Sequence, residues 1–386
     1  MKSKLAILLI VKSLPWRFKG GIQTHTWDLA QALQQKGNEV TILTGGSFFQ
    51  KEKVEQRDGI TIVDLPYFPG RYVPFIPFLA EEFAFNQQVK VWVNANHIAF
   101  DIIHAQGRSG YLLYQNPALH AKIIQTIHGM TGIESKTDSN QNLNTRLHSF
   151  FAERWENKLL QVSRKAITVS EDLKSSVIQK SKSLGGKINV IPNGVGQLIQ
   201  NSKKGYNQVV NRFVFVGRLH PVKGLAPLIS AIAKLESKIY LDIIGEGPQR
   251  KQLEELVNSL NLQLQVRFLG AFENSTIQHL LPHYKGLVLP SIYESQGIVL
   301  LEANLQGIPV IASDIASIRE SVTAGFNGIL CDPAQSETFT AAMVYLLDNP
   351  ILAKKMGLQG KARVIQDYSW NTIADQTIAL YQQIAS

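Results

Sequence analysis

The stretch Pro290–Ser313 reads PSIYESQGIVLLEANLQGIPVIAS. It follows the apolar run Gly286–Leu289 and contains a glycine, Gly297, at the head of a second apolar run. It closes on Gly307-Ile-Pro-Val-Ile-Ala-Ser, a third such run. Strand, loop, helix and strand in this order form the repeating unit of parallel α/β layers. Two carboxylates, Glu294 and Glu302, lie eight positions apart within it. A helix beginning near Gly297 leaves Glu294 in the preceding loop and puts Glu302 in the second turn. The backbone N–H groups and the positive helix end then lie between two carboxylates. Carboxylates accept hydrogen bonds from hydroxyls, and helix starts hold anions. The pattern suits a ligand with hydroxyls at both ends and phosphate in the middle, as in a nucleotide sugar.

Outward from this unit the same alternation fills the chain. In the first half the apolar runs expected to be strands are Leu5–Val11, Glu39–Thr44, Ile60–Asp64, Asp101–Ala105, Lys122–Ile127, Lys165–Val169 and Lys187–Ile191. In the second they are Arg212–Gly217, Ile239–Gly245, Gln265–Leu269, Gly286–Leu289 and Pro309–Ala312. Helical periodicity runs over Gly21–Lys36, Asn144–Val162 and Trp370–Ile384. Strands this apolar are buried on both faces. A length of 386 residues asks for two cores. The polar stretch Gln200–Gln208, QNSKKGYNQ, is the expected linker. In Pro66–Phe78, PYFPGRYVPFIPF, four prolines argue against regular structure, and its aromatics are expected to cover a core edge.

Composition narrows the setting. The single cysteine, Cys331, permits no intrachain disulfide and suits a reducing compartment. The longest N-terminal apolar run, Leu5–Val11, is too short to cross a membrane and reads as a first strand. The net charge of +9 is lopsided. Residues 1–200 carry 23 Lys and Arg against 15 Asp and Glu, a net of +8, and the rest carry 16 against 15, a net of +1. An excess in one half suits an anionic membrane surface. No zinc finger, aromatic RNA-binding motif or basic helix points to nucleic acid. A cytoplasmic protein, peripheral at the inner face of the membrane, is the expectation.

Three further motifs sit at strand-to-helix turns. Gly20 and Gly21 precede the first helix, and two glycines there allow backbone N–H groups to approach a phosphate. Arg218 and Lys223, in VGRLHPVKG, follow a strand that ends at Gly217. Two cations there would offset charge growing on a departing diphosphate. GEGPQR at Gly245–Arg250 contains Glu246 and is too short for a Walker loop, so it reads as a turn against a nucleotide. His128 ends the strand Lys122–Ile127, in reach of a sugar hydroxyl. His25, His104 and His220 are weaker candidates. No Asp-x-Asp, HExxH or CxxC is present, so no metal and no other cofactor is expected. The chain also lacks GxSxG and GxGxxG, which leaves serine hydrolysis and dinucleotide chemistry without an anchor.

In order and spacing, these motifs resemble those of the retaining glycosyltransferases of family 4, also called glycosyltransferase group 1. The likeness runs through GGIQTHTWDLAQAL, TIHG, VSEDL with VIPNGV, VGRLHPVKG, IIGEGP, VRFLGAF, the Glu-x7-Glu stretch, GIPVIAS and DYSWNTIADQTIALY. The resemblance implies the GT-B fold, two Rossmann-like doubly wound parallel-sheet domains facing across a cleft. Residues 1–200 would be the acceptor side, 206–368 the nucleotide-sugar side, and helix 369–386 would pack back on the first domain. It implies that Glu302 holds the ribose and that Glu294, with the backbone at Gln296, Gly297 and Ile298, holds the donor sugar. Arg218 and Lys223 would clamp the diphosphate. Gly217 and Glu246 would line the nucleotide, Gly20 and Gly21 would approach the diphosphate, and His128 would lie beside the transferred sugar. The partners are then a nucleotide-sugar donor and a saccharide or lipid-linked acceptor. The family's Gly-Phe-Gly after the first glutamate is Ser295-Gln296-Gly297 here, which leaves donor preference open. A nucleotide-sugar epimerase and a catalytically idle sugar-nucleotide-binding subunit fit the same motifs.

Overall fold

Runs such as AILLI and RFVFV have no polar face, so they fit only inside a sheet covered on both sides. A computed structural model places them there. It describes residues 4–18, 20–73, 76–129, 143–196, 211–236 and 239–385. The expected linker Gln200–Gln208 lies outside the described residues. The chain divides into two compact units, Met1–Gly194 with Trp370–Ser386, and Val195–Ser369.

In the first unit the strands are β1 (Ala6–Ile10), β2 (Glu39–Gly46), β3 (Lys53–Arg57), β4 (Ile60–Pro66), β5 (Ile102–Gln106), β6 (Ile123–Ile127), β7 (Lys165–Thr168) and β8 (Ile188–Val190). Its helices are α1 (Gly21–Gln35), α2 (Pro77–Asn96), α3 (Leu143–Val162) and α4 (Glu171–Lys180). The sheet order is β3-β4-β2-β1-β5-β6-β7-β8, with β3 the one antiparallel strand. β1 lies between β2 and β5, so the order reverses between β1 and β5, and a crevice opens there at the carboxyl ends of the strands.

The second unit holds β9 (Arg212–Val216), α5 (Leu225–Ile232), β10 (Tyr240–Ile244), α6 (Arg250–Ser259), β11 (Val266–Gly270), α7 (Asn274–Leu280), β12 (Leu287–Leu289), α8 (Ile298–Leu305), β13 (Val310–Ser313), α9 (Ala316–Ser321), β14 (Gly328–Cys331), α10 (Ser336–Asp348) and α11 (Pro350–Asp367). The order β11-β10-β9-β12-β13-β14 is all parallel and is that of a dinucleotide-binding half-pair, with its reversal between β9 and β12. Each unit buries its own apolar core around its sheet. The last helix, α12 (Trp370–Ala385), packs on α1 and β5 of the first unit.

The expected strands are present within a residue or two at each end. Two went unread. β3, KVEQR, is a mostly exposed edge strand with no apolar face to announce it. β14, GILC, is short and only partly buried. The proline-rich segment needs a correction. Pro66 ends β4, Gly70–Tyr72 forms a single 3-10 turn, and Pro77 opens α2. A proline at the first helical position loses no hydrogen bond, because that N–H has no partner in a helix.

α12 is tied to the sheet by a buried polar cluster. Tyr381 Oη lies 2.6 Å from His104 Nδ1, and His104 Nε2 lies 2.6 Å from Thr126 Oγ1. The rings of His25 and His128 meet edge to face at 4.7 Å. Burial depresses all three histidines: His128 to about 4, His104 to about 3, and His25 well below its ordinary value, the last two also lowered by neighbouring histidines. Burial pushes Asp28 the other way, up to about 7. Below pH 6.5 the unfolded histidines take up protons that the folded ones refuse, which lowers stability as pH falls. Asp28 takes up its proton in the folded state first, which opposes the trend. Three against one leaves a net uptake on unfolding of about two protons. The urea midpoint should therefore fall as pH drops from 6.5 towards 4, with a loss of about 1.4 kcal/mol per pH unit per net proton. A flat or rising midpoint across that window would contradict the burial of these rings.

Candidate active site

The second unit brings several predicted residues to the reversal point of its sheet. β9 runs into Gly217 and Arg218, and a 3-10 turn at Pro221–Lys223 carries Lys223. β12 runs into the loop that carries Ser291 and Glu294. The two loops are locked together. Lys223 Nζ donates to Glu294 Oε1 at 2.7 Å, and Ser291 Oγ donates to the same oxygen at 2.7 Å. The Lys223 and Glu294 side chains are only 18% and 11% exposed, so the pair is little screened by water. Backbone contacts hold the loops in register. Ile292 N donates to Val222 O at 2.7 Å. Gly224, at φ +66, lies so close that a Cβ there would stand 2.1 Å from the Pro290 carbonyl oxygen.

Helix α8 starts on Gly297, whose φ of +72 turns the chain out of the loop and leaves the helix without a side-chain cap. Ser317 Oγ donates to the Glu294 carbonyl at 2.7 Å, and Ser321 Oγ to the Gln296 carbonyl at 3.4 Å, so α9 fixes the loop from behind. Gln296 is buried at 2% exposure, with its side chain turned away from solvent. Ile298 is half-buried. Glu302, in the second turn, accepts from Asn274 Nδ2 at 3.0 Å. Arg218 is exposed and Glu246 is paired with Arg250 on the exposed side of its turn. The glycines of GEGP have a packing reason. A Cβ on Gly245 would stand 1.9 Å from the Gly217 oxygen.

Gly20, Gly21 and His128 belong to the first unit. Gly20 is in extended backbone and Gly21 begins α1. A Cβ on Gly21 would meet nothing within 4 Å, so neither backbone nor packing demands glycine there. His128 lines a cavity of about 340 Å³ at the β1/β5 reversal, together with Lys12, Glu82, Asn86, Gln106 and Arg108. Arg108 Nε donates to Glu82 Oε1 at 2.6 Å and His128 Nε2 to Gln106 Oε1 at 2.8 Å. Sequence reasoning singled out His128 but missed this polar lining, because Glu82, Asn86, Gln106 and Arg108 stand on α2 and the end of β5 with no motif joining them. Among the described residues no group of three or more His, Cys, Asp or Glu is placed to hold a metal ion. No helix among them is long and apolar enough to cross a membrane.

Known proteins resemble the chain in sequence and in fold. Residues 19–196 match the model of Glycosyltransferase Family 4, and residues 199–363 match that of Glycosyl transferases group 1. The chain is 26% identical to an uncharacterized glycosyltransferase, MJ1607, of Methanocaldococcus jannaschii, over 98% of both chains. Its fold is that of sucrose-phosphate synthase from Thermosynechococcus elongatus, with a TM-score of 0.81 at 22% identity over 98% of this chain and 99% of that one. It is also that of Anabaena Alr3699/HepE, solved in complex with UDP-glucose, with a TM-score of 0.74 at 19% identity over 98% and 100%. With its two matched halves in family order on two parallel-sheet α/β units, the chain belongs to the group 1, family 4 glycosyltransferases of GT-B fold.

Proposed function

We propose that the protein transfers a glycosyl group from a nucleotide-diphosphate sugar to a hydroxyl acceptor with retention of configuration, in polysaccharide or glycolipid assembly, and needs no divalent metal. The observation that carries this is the Lys223–Glu294 pair at the β9/β12 reversal, with the start of α8 beside it and Glu302 one turn further on. Glu302 takes the ribose hydroxyls. Gly217 and Glu246 line the nucleotide. Glu294 and the backbone of Gln296–Ile298 take the sugar, and Arg218 and Lys223 take the diphosphate. Gly20 and Gly21 also serve the diphosphate, which gives Gly21 a reason for being glycine that the fold does not supply. His128 serves the transferred sugar. The acceptor side is the first unit, whose polar cavity of about 340 Å³ suits a hydroxylated group. Its surplus of basic residues suits an acceptor held at an anionic membrane surface.

The pair itself suggests how the donor engages. Without ligand, Lys223 and Glu294 neutralise each other and hold fixed rotamers, so little ordering remains to be done on binding. A diphosphate draws on the ammonium as a second anion and loosens its hold on Glu294. That carboxylate then accepts from a sugar hydroxyl. As the glycosidic bond breaks, charge grows on the leaving phosphate where Lys223 and Arg218 already stand. The acceptor hydroxyl attacks from the face the diphosphate leaves, and the phosphate takes its proton. No protein nucleophile is needed, and positioning supplies much of the acceleration.

The decisive experiment is NMR of the product formed from an α-linked nucleotide sugar. An α-glycoside is expected, and a β-glycoside would overturn the retaining assignment. Donor converted to another nucleotide sugar without acceptor would favour an epimerase instead. Arg218→Ala and Lys223→Ala should each cost about 2–4 kcal/mol of transition-state stabilisation, read from kcat/KM. Near-normal turnover in both would remove the diphosphate clamp. Glu302→Ala should weaken nucleotide binding by about 1.5–3 kcal/mol, the worth of hydrogen bonds to a charged group. An unchanged affinity by calorimetry would take the ribose away from Glu302. Turnover should be the same with and without a chelator, and loss of activity restored by magnesium or manganese would contradict metal independence.

A further inference from the structure

The carboxyl ends of β2 and β4 carry aromatic side chains that the core does not take. The two strands are neighbours in the sheet, with Gly46 opposite Pro66, so the loops that follow them leave side by side. The first loop carries Phe48 and Phe49, the second Phe68 and Tyr72. Ring centroids lie 5.4 Å apart for Phe48–Phe49 and for Phe48–Phe68, and 6.1 Å apart for Phe68–Tyr72. Gly70 brings the second loop against the head of α2, where a Cβ would stand 1.7 Å from the Pro77 carbonyl oxygen. Phe78 follows Pro77 and lines the cavity beside His128.

These rings face water. Phe49 is 79% exposed, Phe78 72%, and Phe48, Phe68 and Tyr72 between 40% and 56%. The expectation that the aromatics of Pro66–Phe78 cover a core edge holds for Tyr67, which packs on Phe85, and fails for Phe68, Tyr72 and Phe78. Single exposed rings are ordinary on a protein surface. A contiguous cluster is costly to leave in water and marks a surface that meets something apolar.

The charges at this rim select the partner. Nearby carboxylates are already engaged: Asp64 by Arg17, Glu81 by Lys12, and Glu52 by the Trp92 indole. Lys51 follows the first pair of rings, and the Arg71 guanidinium sits 5.1 Å from the Tyr72 ring centroid. Neither cation has a carboxylate partner among the described residues. A second copy of the chain would set these cations against their own counterparts in a two-fold contact. An anionic lipid surface suits both parts, with the acyl boundary for the rings and the headgroups for the cations.

We infer that Phe48, Phe49, Phe68, Tyr72 and Phe78, with Lys51 and Arg71, form a docking surface that enters the interface of an anionic bilayer. A surplus of basic residues does not by itself say which face meets the membrane; the aromatic rim does. Docked in this way, the cavity beside His128 opens next to the lipid headgroups, at Phe78. That last consequence rests on the acceptor role proposed for the first unit, and the docking itself does not.

The test is flotation of the intact protein with vesicles, in the absence of donor and acceptor. Vesicles of phosphatidylglycerol mixed with phosphatidylcholine should carry the wild-type protein, and vesicles of phosphatidylcholine alone should carry much less. Phe49→Ser and Tyr72→Ser should each lower the partition coefficient by about tenfold, from the apolar area no longer buried. Arg71→Glu should lower it by more than about fivefold, the worth of one cation near an anionic surface. Lys182→Glu, beside the opposite edge strand β8, makes the same change of charge and should matter less. All four side chains are exposed, so melting temperatures should hold. Absence of flotation with the mixed vesicles overturns the inference, as does unchanged flotation of both ring variants or an equal loss in Arg71→Glu and Lys182→Glu. A wild-type dimer that Phe49→Ser separates, with no flotation, overturns it in favour of a second copy. Transfer to a water-soluble acceptor, measured alongside, keeps the two readings apart. Flotation without transfer leaves the rim standing and removes the proposed function, and transfer without flotation does the reverse.

Discussion

The candidate site of the second unit is built around one contact, the ion pair of Lys223 with Glu294, held under 20% exposed and shared with the Ser291 hydroxyl. A pair this buried is costly to desolvate and disruptive to break, so it is poor evidence for stability as such. Its place gives it meaning. In a parallel sheet of order β11-β10-β9-β12-β13-β14, the strand order reverses between β9 and β12, and the loops that follow these two strands flank that crevice. The pair joins the backbone bond of Ile292 to Val222 in linking them, and it sets a cation and a carboxylate side by side at the crevice. In the proposed reaction these two groups serve the two ends of a sugar diphosphate.

The first unit solves a related problem with neutral groups. Its reversal point, between β1 and β5, ends in a cavity lined by polar side chains, and the core behind it contains histidines in place of aliphatic residues. A buried imidazole costs less than a buried ion because it can give up its charge. His104 pays for its position with two hydrogen bonds of 2.6 Å, one to β6 and one to α12. The final helix thereby contributes a polar anchor to the sheet as well as apolar contacts, and its removal would leave a buried imidazole short of a partner.

Much of this was legible in the sequence where one physical cause acts alone. Strands buried on both faces declare themselves as apolar runs, as AILLI and RFVFV do. The turn at Gly297 declares itself because only glycine takes a φ of +72 without strain. The exposed edge strand KVEQR was not legible, since its place is set by pairing with β4 and not by its own pattern. Pro77 misled because proline breaks a helix interior yet opens a helix well, and the two roles look alike in sequence. The pairing of Lys223 with Glu294 was hidden for a different reason. They stand 71 positions apart, and spacing along the chain carries no sign of which loops a sheet will bring together. Gln106 and Tyr381 were hidden likewise, as ordinary members of a strand and a helix until the fold packed α12 on the sheet and put both beside His104.

The central claim is that the loops after β9 and β12 hold the nucleotide diphosphate. Hydrogen–deuterium exchange of the intact protein with and without UDP, GDP and ADP tests it most directly, because amides that donate to a phosphate or lie under a bound ligand exchange more slowly. At least one of the three nucleotides should slow exchange in peptides covering residues 217–224 and 291–302. Protection confined to other segments, or none with any of the three at saturating concentration, would contradict the account.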